Sequence, residues 1–159
     1  MAYYLISGGK GPGDNKDSFG FLYKKVSGDF TLESGIKLLN ISGNNSSSAG
    51  IMVRQSSEPD APFFACMVLG DGTIKIFYRT GSDKTARKLS HQVRGAGMIQ
   101  VEKSGDSYTV SAAKFGEQYE QTTVRVAGLK ESLIAGFFVC SGTETEKEAA
   151  AFSNIRFFE

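Results

Sequence analysis

A formal charge of +1 over 159 residues leaves no global field to draw in nucleic acid or an anionic membrane. The chain also lacks the run of about eighteen apolar residues that a spanning helix needs, and its start, Met1 to Gly9, lacks the basic and apolar regions of a secretory signal. The length fits one domain with a sizeable core, and nineteen glycines with twelve phenylalanines, six tyrosines and no tryptophan suit short strands joined by tight turns.

Tyr3 to Ser7 reads as a first strand, and Gly8 to Asn15 as an irregular loop. Ser18 to Val26 alternates, placing Phe19, Phe21 and Tyr23 on one face. After the Ser27-Gly28-Asp29 turn a long strand runs from Phe30 to Leu39, and Ser42 to Ser48 is a polar loop. Three strands follow. Ala49 to Ser56 ends at Glu58-Pro59-Asp60-Ala61-Pro62, a turn that no strand could cross. Phe63 to Leu69 is almost wholly apolar, and Gly70-Asp71-Gly72 reverses it. Thr73 to Thr80 sets Ile74, Ile76 and Tyr78 on one face and Lys75, Phe77 and Arg79 on the other.

Downstream, a short strand is expected near Ala86 to Leu89. Met98 to Lys103 and Tyr108 to Lys114 flank Ser104-Gly105-Asp106-Ser107 as a hairpin. Tyr119 to Val126 and Leu133 to Cys140 are further strands, Ser141 to Lys147 reads as a charged loop, and Ala150 to Phe158 closes the chain. No segment keeps a capped helical periodicity. About a dozen strands with regular turns predict an all-β, two-sheet antiparallel sandwich or jelly roll.

Little in the chain suits catalysis. The single histidine, His91, lies in a polar stretch and is expected at the surface. Cys66 and Cys140 sit inside apolar strands, where free thiols behave as small hydrophobes. There are too few soft ligands for a zinc site, and no nucleophile elbow, phosphate loop or dinucleotide fingerprint. The acids fall mostly in turns, which lowers the expectation of a paired-carboxylate hydrolase.

The stretches AGIMVRQSSEPDAPFF, GDGTIKIFYRTG, IQVEKSGDSYTV, GFFVCSG and AAFSNIRF, with KDSFGFLYKKVSGDF near the start, carry a resemblance. Together they resemble the concanavalin A-like jelly-roll modules appended to bacterial pectate lyases and glycoside hydrolases. The same superfamily holds a branch of enolase-regulator-like proteins. The resemblance runs from about Ser7 to Phe158 and departs at Met98-Ile99-Gln100-Val101, where relatives often carry Trp-Leu-Arg-Leu. It implies a non-catalytic carbohydrate-binding module of a larger, secreted or cell-surface bacterial protein, monomeric and targeting a parent enzyme to a polysaccharide. The alternatives are a cytoplasmic protein-interaction domain of the enolase-regulator type, or a polysaccharide lyase or hydrolase on the same fold.

Sugar recognition needs flat apolar faces and fixed polar groups. Arg54 and Arg79 emerge from apolar strands separated by two reversals, and the guanidinium fork suits carboxylates and paired oxygens. Gln55, Tyr78, Tyr23 and Lys75 complete the candidate ligand set. The competing role for the arginines is to fasten loops through turn carboxylates such as Glu58 or Asp60, and for both tyrosines it is packing. A structural calcium ion is a further candidate, with Asp14, Asp17 and Asp29 supplying hard oxygen ligands.

Overall fold

The alternation read from the sequence folds into two stacked antiparallel sheets. The computed structural model describes residues 2–13, 16–43, 45–82, 84–130 and 132–159. Within them are twelve strands and no helix, hence no helix long and apolar enough to cross a membrane. The strands are β1 (Ala2–Gly9), β2 (Gly20–Ser27), β3 (Phe30–Leu38), β4 (Ser48–Arg54), β5 (Phe63–Leu69) and β6 (Thr73–Arg79). They continue with β7 (Arg87–Arg94), β8 (Met98–Ser104), β9 (Ser107–Ala113), β10 (Glu120–Arg125), β11 (Ser132–Cys140) and β12 (Thr143–Phe158). One sheet has the order β1-β12-β3-β8-β9-β10 and the other β2-β11-β4-β5-β6-β7.

The inward faces interdigitate into one apolar core. The first sheet contributes Leu32, Ile36, Val101, Tyr108, Val110 and Phe152, and the second Ile51, Val53, Phe64, Cys66, Ile76 and Phe137. Each such side chain, fully buried, contributes about 1.5–3 kcal/mol before its ordering entropy is set against it. Tyr108 stacks on Phe64 across the core with ring centroids 4.7 Å apart. Both cysteines are free and buried, as expected from their apolar surroundings. Burial pushes the Cys66 thiol up to about 12.

The outer face of the second sheet is also apolar, and this positions the site. Met52, Phe63, Ala65, Met67, Ala86 and Phe138 form a second buried cluster there, with Phe19, Phe21 and Phe77 packed on it. The covering layer comes from residues 10–13, 16–19, 55–62 and 84–86. Backbone bonds join its parts, from the Asp17 N–H to the Pro59 carbonyl and from the Ala86 N–H to the Gly13 carbonyl. Gly13, at φ 129°, crosses so close that an added Cβ would lie 3.4 Å from the Phe77 ring. A side chain there would meet both backbone strain and the packed ring.

Two expectations are corrected. The charged stretch Ser141 to Lys147 is not a loop beyond Gly142, because β12 begins at Thr143 and pairs with β1 from Gly9↔Thr143 to Ala2↔Ser153. Ladder pairing overrides the weak strand preference of its alternating Thr and Glu residues. His91 is 5 % exposed rather than solvated. The Val93 N–H donates to its Nδ1 at 3.1 Å, so Nε2 carries the proton and donates to the Glu120 carbonyl at 3.0 Å. That bond joins edge strand β7 of one sheet to edge strand β10 of the other and closes this side of the sandwich.

Candidate functional site: an aromatic groove over a buried ion cluster

Cross-strand register brings the two arginines together. Arg54 pairs with Phe63, and Phe63 pairs with Arg79, so all three side chains stand in one row on the outer face of the second sheet. Phe63 lies between the two guanidiniums, 5.5 Å from that of Arg54 and 4.9 Å from that of Arg79. Asp17 descends onto this row from the covering layer. Its Oδ2 accepts from Arg54 Nη1 at 2.8 Å and Arg79 Nη1 at 2.8 Å. Its Oδ1 accepts from Arg79 Nη2 at 2.7 Å and the Gly13 N–H at 3.2 Å.

The rest of each guanidinium binds backbone carbonyls. Arg54 donates through Nε to Ser56 and through Nη2 to Glu58. Arg79 donates through Nε to Lys84 and through Nη1 to Ala61. The separate parts of the covering layer are thereby tied to one carboxylate. The side chains are 2 %, 0 % and 1 % exposed for Arg54, Arg79 and Asp17, so this cluster is a floor and not a ligand surface. Burial pushes the Arg54 guanidinium below its ordinary value and the Arg79 charge adds to this, while Asp17 opposes both.

The arginines do fasten loops, but through a different partner from the one the sequence suggested. Glu58 takes part through its carbonyl oxygen, and the carboxylate is that of Asp17. Asp17, expected as a calcium ligand, has both oxygens filled by cationic and N–H donors. Asp29 sits in the β2–β3 turn, where its Oδ1 accepts from the Gly105 N–H at 2.9 Å. Asp14 lies outside the described residues. Asp17 and Asp29 do not form a donor set that fits calcium, and no group of three metal-ligating side chains occurs among the described residues.

Above the floor an open groove of about 400 Å³ is lined by Ser18, Phe19, Phe21, Tyr23, Ser57 and Pro59, with Asp17 and Arg54 beneath. Phe21 and Tyr23 lean together with centroids 5.0 Å apart, and Tyr23 is 47 % exposed. Phe19 packs edge-on against Phe21 and Phe138, at 5.8 and 5.7 Å. This anchors the aromatic row from below.

Of the predicted ligand residues, Tyr23 and Arg54 line this groove, and Arg79 joins its floor through Asp17. Tyr78 packs on the core side of β6. Lys75 is on the outer face but pairs with Met67 and Ser90, away from the groove lining. Gln55 faces one end of the sandwich, donating to the Ser132 carbonyl at 3.0 Å and accepting from the Lys130 N–H at 2.7 Å. Sequence reading missed Phe19, Phe21, Ser18, Ser57 and Pro59 as groove residues. The alternation of Phe19, Phe21 and Tyr23 was the available signal, but it does not say which face of the sheet they take.

A comparison of the sequence with protein-family models and with curated proteins finds no match. Solved structures do match. The chain is similar to a functionally unknown protein from Saccharomyces cerevisiae, with a TM-score of 0.80 at 13 % identity over 99 % of this chain and 87 % of that one. It is similar to a GH43 protein from Bacillus licheniformis, with a TM-score of 0.65 at 11 % identity over 87 % of this chain and 33 % of that one. It is also similar to the carbohydrate-binding module CBM66 from Bacillus subtilis, with a TM-score of 0.62 at 15 % identity over 98 % and 95 %. Binding modules and enzymes therefore share this architecture, and the chain has the concanavalin A-like jelly-roll fold.

Proposed function

We propose that the protein is a non-catalytic carbohydrate-binding module and that a saccharide lies in the groove against Phe21 and Tyr23. The carrying observation is the aromatic pair of half-buried Phe21 and exposed Tyr23 above a polar floor. A sugar ring offers its C–H face to such a surface, while Ser18 and Ser57 stand where hydroxyls can be bonded. Asp17 is the carboxylate of the described lining, and its commitment to two guanidiniums leaves no acid–base pair in the groove. The reading agrees with the shared fold of the carbohydrate-binding module. In a larger secreted or cell-surface protein, weak binding of this kind raises the effective concentration of a linked enzyme at its polysaccharide.

Titration calorimetry against xylan, fructan, pectin and alginate fragments tests this. Millimolar or tighter binding by one of them is expected, with Tyr23→Ala weakening it by roughly tenfold, the loss of one stacking contact. Absence of binding by all four, or binding indifferent to Tyr23, would overturn the reading.

A second reading, a protein-interaction domain of the enolase-regulator type, has an observation of its own. On the side where β1 and β2 are the sheet edges, Tyr3, Tyr4, Ile6 and Leu22 are exposed at 48, 67, 64 and 44 %. Such an apolar strip along two strand edges suits a protein partner. Binding to purified enolase that is lost in Tyr4→Ser/Ile6→Ser, with no glycan binding, would favour it.

A further inference from the structure

At one end of the sandwich the β2–β3 turn, the β8–β9 turn and residues Leu129, Lys130 and Ser132 surround an open pocket of about 720 Å³. Lys103 projects into it from the inward face of β8, with its side chain 8 % exposed. Its ammonium makes no hydrogen bond among the described residues; the nearest charge, Asp29 Oδ1, is 3.7 Å away, beyond hydrogen-bond length. The stem is buried while the ammonium reaches the open pocket, and its ion pair with Asp29 leaves its hydrogen-bond donors unused.

A second polar group without a hydrogen bond lies beside Lys103 on the neighbouring strand. Tyr108 is the direct cross-strand partner of Lys103, so both side chains point inward at this end. The Tyr108 hydroxyl is buried without a hydrogen-bond partner among the described residues. Burial pushes that hydroxyl's pKa up, with Asp106 and Asp29 adding to the effect.

The uncommitted donors of the pocket are cationic. Asp29 already accepts from the Gly105 N–H, and Asp106 faces Arg125 at 3.7 Å. Gln55 is engaged on both its amide atoms. Lys103, ion-paired to Asp29 but without a hydrogen bond, remains, with exposed Lys130 on the rim. We propose that this end is a second binding site, taking the carboxylate of an acidic saccharide between Lys103 and Lys130. The saccharide part rests on the carbohydrate reading above; the carboxylate part rests on the two lysines.

The test uses the full chain, labelled for amide NMR, with glucuronate as probe and glucose as its neutral counterpart. Glucuronate at millimolar concentration is expected to shift the Gly28, Gly105 and Lys130 amides, while glucose leaves them in place. Lys103→Met should weaken the interaction by about tenfold or more, the loss of a charge-assisted hydrogen bond. Lys130→Ala, at an exposed position, should weaken it several-fold and keeps the test open if Lys103→Met fails to fold. Unchanged amides with glucuronate, equal shifts with glucose, or full binding by both variants would overturn the proposal. The aromatic groove is read separately, from neutral oligosaccharides and the Tyr23→Ala variant, so either site can fail alone.

Discussion

The two ends of the sandwich each hold a charged side chain pointing inward from the first sheet, and they treat it in opposite ways. Glu148, beyond the Leu38↔Ala150 pair, is 0 % exposed and fully provided for. Its Oε2 accepts from the Ile41 and Ala149 N–H groups at 2.8 and 2.9 Å, and its Oε1 accepts from the Ser42 hydroxyl at 3.2 Å. Lys103, paired with Phe30 at the other end of β3, has a single carboxylate beyond bonding distance. A carboxylate met by converging donors closes its end by pinning the loop after β3. The Lys103 ammonium, with one ion pair and no hydrogen bond among the described residues, lies at an end that stays open. The two inward charges thus differ in their hydrogen bonds and not in their burial, and only the Lys103 end keeps donors free for the ligand proposed above.

The largest expected effect comes from the third buried charge system, which shares the provided-for character of Glu148. Asp17→Ala leaves two guanidiniums buried without their counter-ion, at a cost of about 3–5 kcal/mol. The covering layer should open over Phe63, Met52 and Phe138, so urea unfolding should show the loss and a hydrophobic dye should bind the native-state protein. A change below about 1 kcal/mol would mean that the apolar cluster holds the loops without the ions.

Glu148→Gln follows, at about 2 kcal/mol, because an amide cannot accept on both atoms as the carboxylate does. Its pH dependence has a definite sign. Burial raises the Glu148 carboxyl, but the Ala149 and Ile41 N–H groups with the Ser47 and Ser42 hydroxyls outweigh this and hold it below its ordinary 4.5. A depressed folded value gives stability that is fully present above 4.5 and is lost as pH falls through the folded value. The gap between wild type and Glu148→Gln should thus be full at neutral pH and close on acidification. A gap independent of pH would show that shape, not charge, is what the loop requires.

The strand pattern was legible because it depends on local alternation: β5, Phe63–Leu69, falls where its apolar run and flanking turns place it. The convergence of Arg54 and Arg79 was partly legible, since two reversals put their strands on either side of β5. Asp17 as their common partner was not, because it reaches them from a loop 37 and 62 residues away whose path follows from sheet order. Lys103 and Glu148 were hidden for a related reason. Lys103 continues the inward alternation of Ile99 and Val101, yet alternation alone does not say where the core stops and a sandwich end begins. His91 was misread because its two partners lie on its own strand and on the edge of the opposite sheet.

The smallest expected effect sharpens the open end directly. Tyr108→Phe removes only the hydroxyl and keeps the ring stacked on Phe64. Removing the hydrogen-bonded partner of a buried group costs stability, but here the group removed is itself the unpaired one. The variant should be as stable as wild type or more stable, by up to about 1 kcal/mol, in urea unfolding without ligand. Lys103→Met should change little, since a flexible apolar chain keeps the packing of the buried stem and gives up only the 3.7 Å ion pair with exposed Asp29. Glu148→Gln moves the other way from Tyr108→Phe, so the signs of these two substitutions separate the two ends. If Tyr108→Phe instead loses about 1 kcal/mol, the hydroxyl is bonded within the folded protein. The open end would then be nearly as self-contained as the closed one, and a ligand site there would rest on Lys103 and Lys130 alone.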